Sequence, residues 1–271
     1  MAVRTLCGLA APRFIAPKDT LHGLETLRPM RLISGGFMRK KFVASVIAIV
    51  IAAAVFAIYA SNRTDGHASI AALFPMGDEF DFTPPVSGSY KLHSLKPAPD
   101  GSVLSADGTE QELSDILADK VSLVSFVYLM CGDVNGCPLA TSTLFDIYDT
   151  SMRAPILHEH VQLLTISFDP DRDTVEAIQS FSYPILQDDE ADQKVVWRVL
   201  TTENQTALKP ILDGFGQVVD RSNDEDRLNH LLRMFLVDRK GNIRNIYGLG
   251  LIDPRLLMTD IETLLLEDGT L

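Results

Sequence analysis

Two cysteines separated by five residues are the side chains best suited to chemistry in this 271-residue chain. They stand in the segment Cys131-Gly-Asp-Val-Asn-Gly-Cys137, directly after an apolar run and directly before Pro138. Thiolates attack disulfides and bind soft metal ions, and a thiol at a helix N-terminus is biased toward thiolate by the unpaired N–H groups there. The pair therefore predicts redox chemistry or metal binding.

The spacing of the two cysteines sets a geometric condition for either chemistry. Along a regular helix six positions would separate the thiols by about 9 Å of rise and place them on different faces, so the intervening residues must fold back. Glycine, aspartate and asparagine permit such a loop. A structural disulfide and two buried free thiols remain alternatives, because a cysteine pair in an exported domain often forms a disulfide that only stabilises the fold.

Two neighbouring classes of thiol site fit the sequence less well. A structural zinc site needs a fourth protein ligand, and no second cysteine pair or close histidine stands at a familiar spacing. His158 and His160 lie in a polar stretch that predicts a surface connection. A peroxiredoxin would place hydrogen-bond donors beside its reactive cysteine, and Leu129-Met130-Cys131 offers none.

Buried strands and amphipathic helices must position the cysteines. A run that is apolar on both alternating faces is typical of a central strand covered by helices, and Pro138 suits the first turn of a helix. Asp173 and Glu176 predict a capping pair for a later helix, and Pro210 predicts that another helix starts late or kinks. The predicted elements are a hairpin within Tyr90 to Leu113, strands Val121 to Tyr128, Val161 to Phe168 and Trp197 to Leu200, helices over Pro138 to Ser151, Val175 to Phe181 and Leu208 to Phe215, the hairpin Arg233 to Val237 with Ile243 to Tyr247, and a last helix capped by Asp253-Pro254.

This order of elements predicts an α/β fold, a thioredoxin-like sandwich with a central β-sheet and flanking helices. Residues 89–271 form this domain, and residues 61–88 form an acidic tether rich in Pro and Gly. The acidic run Asp188, Asp189, Glu190 and Asp192 is most simply a solvated loop.

An apolar stretch precedes the tether. Residues 42–60 contain Ser45 as their only clearly polar side chain, and a helix of that length spans about 30 Å of hydrocarbon. We therefore predict an N-terminal transmembrane helix. Arg39, Lys40 and Lys41 precede this stretch, which by the positive-inside rule leaves residues 1–41 in the cytoplasm and exports the domain. The predicted location is a bacterial-type inner membrane, crossed once, with the domain on the periplasmic side.

Charge is distributed unevenly along the chain. Eight of the 24 basic residues but only two of the 36 acidic residues lie in residues 1–41, so this segment carries +6 and the remainder −18. Such an acidic body would repel phosphate, which argues against nucleic-acid binding. Cys7 lies in the basic segment, which leaves only Cys131 and Cys137 for an oxidising compartment.

Several segments together resemble the SCO/SenC family, membrane-anchored thioredoxin-fold copper proteins that serve cytochrome c oxidase assembly. The resemblance runs over about residues 85–266, and the strand followed by Asp-Pro-x-Arg-Asp-Thr, with cysteines upstream, is fairly specific. Its segments are Gly88-Ser-Tyr-Lys-Leu, Ala98-Pro-Asp-Gly, Val121-Ser-Leu-Val-Ser-Phe-Val-Tyr, Ser167-Phe-Asp-Pro-Asp-Arg-Asp-Thr174, Trp197-Arg-Val-Leu-Thr201, His230 and Asp238-Arg-Lys-Gly-Asn. The family pattern resembles Cys-x-x-x-Cys-Pro. Cys137-Pro138 matches its end, whereas five residues separate the cysteines here.

The resemblance implies a ligand set and a function. In the family two cysteines and a later histidine bind copper, which by position gives Cys131, Cys137 and His230 as ligands of Cu(I) or Cu(II). The expected protein is a membrane-anchored metallochaperone for cytochrome c oxidase or a related exported cuproprotein, with an oxidase subunit as partner. A thiol–disulfide oxidoreductase using Cys131 and Cys137 as its redox-active pair is the alternative. A thioredoxin-fold interaction module would survive the loss of both thiols.

Overall fold

The computed structural model describes residues 49–54, 68–75, 82–131, 136–221 and 228–271. The chain separates into two compact units, Met1–Asp65 and Gly66–Leu271. In the first unit, residues 49–54 are helical, and the side chains of Ile49, Val50 and Ile51 are exposed. Within the described ranges no helix has both the length and the apolar character needed to span a membrane. The rest of the predicted span 42–60 and Cys7 lie outside them.

Strands and helices alternate through the second unit, as the sequence predicts. The strands are β1 Lys96–Pro97, β2 Ser102–Ser105, β3 Glu110–Glu112, β4 Val121–Val127, β5 Val161–Ser167, β6 Val196–Thr201, β7 Val219–Asp220, β8 Asn229–His230, β9 Arg233–Val237 and β10 Asn242–Gly248. The α-helices are α1 Leu113–Leu117, α2 Cys137–Ser151, α3 Pro155–His160, α4 Val175–Phe181, α5 Tyr183–Leu186, α6 Gln205–Phe215 and α7 Pro254–Glu267. Short 3₁₀ turns occupy Ile70–Leu73 and Ala191–Gln193.

A mixed eight-stranded sheet, in the order β1-β10-β9-β4-β5-β6-β2-β3, forms the centre of this unit. Strands β4, β5 and β6 are parallel, whereas β9 runs antiparallel beside β4 and pairs Met234 with Ser125. The carboxyl ends of β4 and β5 and the start of β9 therefore meet at one edge of the sheet. Strands β7 and β8 form a separate two-stranded ribbon.

The core lies on both faces of the sheet, because successive residues of a strand point to opposite sides. Every residue of β4 and β5 is buried. Leu123 packs with the face covered by α2 and α7, whereas Val124 and Phe126 pack with the face covered by α1 and α6. The predicted α/β sandwich with flanking helices is present.

Three local predictions need correction. The cap of α4 is Thr174, whose side chain accepts a hydrogen bond from the Ala177 N–H, and the Asp173 carboxylate lies elsewhere. Helix α6 begins at Gln205, before Pro210, because the side chain of Asn204 caps it, so the late start offered as one alternative is wrong. The stretch holding His158 and His160 forms helix α3 rather than a connection, with His158 Nδ1 2.6 Å from the Lys194 carbonyl oxygen.

Part of the predicted tether packs on the domain. Ile70 and Phe74 are buried in the core, and the Gly88 N–H donates to Thr263 Oγ1 at 3.0 Å. The Glu262 carboxylate of α7 is 3% exposed and accepts hydrogen bonds from this region. Its donors are Ser69 Oγ at 2.8 Å, Ser87 Oγ at 2.6 Å and the Ile70 N–H. Residues 68–75 and 82–88 are called the N-terminal strap below.

Candidate metal centre

The first cysteine follows the central strand. After β4 the chain makes a turn in which the Cys131 N–H donates to the Tyr128 carbonyl at 3.2 Å. This turn brings Cys131 to the sheet edge where β5 also ends, and leaves the cysteine half-buried. The sequence prediction that the cysteine stands directly beyond a buried strand is therefore met.

The second cysteine is the first residue of α2, with Pro138 in the first turn, as predicted. Its side chain is only 4% exposed. Burial raises the pKa of the Cys137 thiol well above its usual range, because the interior disfavours the charged thiolate. The bias toward thiolate expected from the helix N-terminus is thus outweighed in the metal-free chain, and a metal ion would have to displace the proton.

The histidine reaches the site from a short strand. His230 ends β8 and pairs with Val219 of β7. Its Nδ1 atom lies 3.2 Å from the Leu228 carbonyl oxygen, which can only accept a hydrogen bond. This contact favours the tautomer with its proton on Nδ1, in which Nε2, facing Cys137 Sγ, is the nitrogen that can bind a metal.

The three predicted ligands converge. The Sγ atoms of Cys131 and Cys137 and a ring nitrogen of His230 all lie within 4.8 Å of one another, and Nε2 is 3.6 Å from Cys137 Sγ. Sulfur ligands stand about 2.3 Å from an ion such as zinc, so two of them around one ion are at most about 4.6 Å apart. The donor atoms therefore fit around a single ion with small adjustments. Both cysteines are free thiols in this structure.

Aromatic rings enclose the histidine. The Phe168 ring centre lies 4.8 Å from that of His230, and the Tyr128 ring meets the imidazole edge-on at 5.8 Å. Tyr128 and Phe168 follow β4 and β5 directly, so the two parallel strands deliver both rings to the same edge. Their role was not predicted from the sequence, although the apolar runs assigned to these strands end on them.

Ionic and polar groups brace the end of β5 beneath the site. The Asp169 carboxylate is buried and contacts the guanidinium groups of Arg172 and Arg221, the latter at 3.4 Å. Arg221 also donates to the Phe168 carbonyl oxygen. Asp173 is 2% exposed, and burial raises the pKa of its carboxyl group. The Asp-Pro-x-Arg-Asp-Thr segment thus packs directly beneath the candidate site.

The outer rim of the site is apolar and open. Met130, Leu231 and Leu249 are 74%, 56% and 63% exposed. A cleft of about 290 Å³ lies beside His230, and its lining includes Arg233 and Leu249. Among the described residues, these exposed apolar side chains lie beside the cleft and His230.

Comparison with known proteins identifies the family. The sequence model of SCO1/SenC matches residues 102–266, more than half of the chain. The chain belongs to the SCO1/SenC family. A comparison with curated proteins found no significant match.

Solved structures of this family share the fold. A SCO1/SenC family lipoprotein from Bacillus anthracis is 21% identical with a TM-score of 0.53, covering 65% of this chain and 99% of its own. BsSco, described as a member of the Sco family of cytochrome c oxidase assembly proteins with a disulfide switch, is 19% identical with a TM-score of 0.50, covering 64% and 95%. Arabidopsis thaliana ScoI, solved with copper bound, is 21% identical with a TM-score of 0.47, covering 59% and 92%. The first two likenesses confirm the predicted sandwich.

Proposed function

We propose that the protein binds copper through Cys131, Cys137 and His230 and serves as a metallochaperone in cytochrome c oxidase assembly or for a related exported cuproprotein. The observation that carries the proposal is the convergence of these three donor atoms within 4.8 Å. Two thiolates and one imidazole form a soft-to-borderline set that suits copper. Membership of the SCO1/SenC family supports the same assignment.

Copper is the cargo in this proposal, and the site must both hold and release it. Cys137 is buried, whereas Cys131 and His230 are only half-buried and lie beside the apolar rim. A target protein that docks on the rim therefore meets Cys131 and His230 before Cys137. The accessible ligands are the ones that an incoming ligand would replace first.

Metal analysis of the reduced chain tests the binding site. The full-length protein, purified in detergent with Cys7→Ser so that only the pair can report, is loaded anaerobically with Cu(I) beside the Cys131→Ser variant. One copper ion per chain, lost in Cys131→Ser, is expected. Equal copper in both proteins, or zinc retained in preference to copper, would reject the assignment. Transfer to a metal-free oxidase subunit in a mixture of the two then tests delivery.

Thiol–disulfide exchange is the second candidate function. The closeness of the two free thiols favours it, because a loop that brings both sulfurs to one ion also brings them within reach of each other. Exchange depends on the cysteines and not on His230. Reductase activity that survives His230→Ala, in a chain that binds no copper, would favour this alternative.

The location is part of the proposal. Residues 1–41 are placed in the cytoplasm, residues 42–60 in a bacterial-type inner membrane, and the domain on the periplasmic side, because basic residues precede the apolar stretch. A reporter active only after export, fused behind Leu271, should be active. A silent exported reporter together with an active cytosolic one would overturn this topology.

A further inference from the structure

The turn that carries Cys131 has a backbone group that the turn itself cannot satisfy. Tyr128 to Cys131 form a four-residue turn closed by the hydrogen bond from the Cys131 N–H to the Tyr128 carbonyl. This leaves the N–H of the second turn residue, Leu129, without a partner inside the turn. That N–H donates instead to Asp173 Oδ2 at 3.1 Å.

Asp173 is itself held firmly at the ends of two strands. Ser167 Oγ donates to the same Oδ2 atom at 2.6 Å, and Thr201 Oγ1 donates to the Asp173 carbonyl at 2.9 Å. Ser167 ends β5 and Thr201 ends β6. The carboxylate is therefore fixed to the rigid edge of the sheet, and through Leu129 it fixes the start of the cysteine loop.

We propose that Asp173 is a positioning residue for Cys131. Burying a carboxylate is unfavourable unless hydrogen bonds compensate for the lost water. Here one of those bonds comes from the Leu129 N–H, in the turn that leads to Cys131. Without it, Leu129 would have to find another acceptor, and the turn could rotate Cys131 away from Cys137 and His230. This inference deepens the proposed function and rests on it for copper, although the thiol pair tests it without metal.

The test uses the full-length chain with Cys7→Ser as background. Asp173→Ala removes the acceptor, and Asp173→Asn keeps an oxygen that can accept from Leu129. Asp171→Ala, an exposed acidic residue of the same loop, is the matched control. The measurements are the equilibrium constant of the Cys131–Cys137 disulfide against glutathione, Cu(I) affinity by competition, the Cu(II)–thiolate absorption, and the midpoint of thermal unfolding.

We expect Asp173→Ala to lower copper affinity by about 10-fold or more, as contacts behind a metal ligand commonly do, and to shift both the disulfide equilibrium and the absorption band. Asp173→Asn should restore most of each, and Asp171→Ala should match the background. If Asp173→Ala does not fold, Leu129→Pro serves instead, because it deletes the donated N–H at a turn position that accepts proline.

The outcomes separate the inference from the proposed function. A changed unfolding midpoint with an unchanged disulfide equilibrium and absorption, in whichever of the two variants folds, would show a merely structural role and overturn the inference. A background chain that binds no copper would reject the proposed function, and the disulfide equilibrium would still decide the role of Asp173.

Discussion

Polar groups are buried in two regions of the domain: the seam between the N-terminal strap and α7, and the Cys–His site. The two regions differ in the partners that these groups find. At the seam, the Glu262 carboxylate accepts from Ser69, Ile70 and Ser87, all within the chain. The neighbouring Asp260 is likewise surrounded by donors, namely Tyr90, Asn245 and Tyr247. At the site, the thiols of Cys131 and Cys137 and a ring nitrogen of His230 face one another within 4.8 Å, and Cys137 Sγ contacts His230 Nε2 at 3.6 Å.

The difference teaches how to separate structural from functional polar groups in this molecule. Oxygen acceptors matched to O–H and N–H donors stabilise the fold, because an unmatched buried partner is expensive. Soft donors that face one another add little stability by themselves, since sulfur is a weak hydrogen-bonding group. Variants of the site should therefore change ligand binding and those of the seam should change stability.

Loss of Cys137 should have the largest effect. Cys137→Ser replaces a thiolate ligand by a hydroxyl group that is a poor ligand for copper, and it also removes the disulfide partner of Cys131. We expect no measurable copper binding by competition and no disulfide by thiol counting. Cys7→Ser is the control and should behave as the original chain. Full copper loading of Cys137→Ser would remove the buried thiol from the ligand set.

Loss of the histidine should weaken copper binding without touching the disulfide. Contacts behind a ligand are worth about 10- to 100-fold in metal affinity, so loss of the ligand in His230→Ala should cost at least about 100-fold. The Cu(II)–thiolate absorption should shift as well. His93→Ala, an exposed histidine of the same domain, provides the control. Unchanged affinity and absorption in His230→Ala would show that the family ligand set does not transfer to this chain.

Loss of Glu262 should lower stability and leave copper binding unchanged. Glu262→Ala leaves three donors of the strap without their acceptor, which should lower the free energy of unfolding by about 1–3 kcal/mol. For a domain of this size each kcal/mol lowers the unfolding midpoint by about 2–4 °C. Copper affinity of the folded chain should stay the same, as competition at a temperature well below the midpoint will show.

A matched variant on the same helix sharpens this result. Glu267 pairs with Arg244 at 2.8 Å, but its side chain is 45% exposed, and Arg244 keeps a second carboxylate partner, Asp238, at 2.9 Å. Ion pairs with a solvent-exposed partner contribute about 0–1 kcal/mol. Glu267→Ala should therefore leave the unfolding midpoint nearly unchanged. Equal destabilisation by Glu262→Ala and Glu267→Ala would mean that the hydrogen bonds from the strap to Glu262 add no more stability than the ion pair of Glu267 with Arg244.

Sequence patterns predicted the helices and strands that short-range signals define, and they missed the contacts between segments that are distant in the chain. The apolar run at β4 and the proline after Cys137 lead directly to strand and helix, because periodicity and capping act over a few residues. Asp173 looked like a helix cap, yet its carboxylate serves a turn 44 positions earlier in the chain. The strand β8 has only two residues, too few to leave a pattern, so no strand was predicted at His230.

The candidate site shows the same division. The pair Cys131 and Cys137 stands out by residue type and placement, whereas His230 became a candidate only through the resemblance to SCO/SenC proteins. Glu262 gave no signal at all, since an acidic residue on a helix is ordinarily exposed. Only the packing of the strap on α7 turns it into a buried acceptor.

The smallest effect is expected from Gln217, which holds the backbone next to His230. The side-chain amide of Gln217 is buried, and its Nε2 donates to the Leu231 carbonyl at 2.8 Å, next to His230. Its Oε1 has no hydrogen-bond partner in the part of the chain that the structure describes. Gln217→Leu keeps a similar volume, removes one hydrogen bond and also removes this unpaired oxygen, so stability should change by less than about 1 kcal/mol.

Copper binding should respond to the same change, because His230 loses a restraint one residue away. We expect affinity to fall by about 10-fold or less, at the low end of the range for contacts behind a ligand. The disulfide equilibrium should not move, since Cys131 and Cys137 are held by β4 and α2 rather than by the β7–β8 ribbon. Val218→Ala, an exposed neighbour of Gln217, is the control. A disulfide equilibrium shifted by Gln217→Leu would mean that the β7–β8 ribbon also positions Cys131 and Cys137. The cysteines and His230 would then not be held independently.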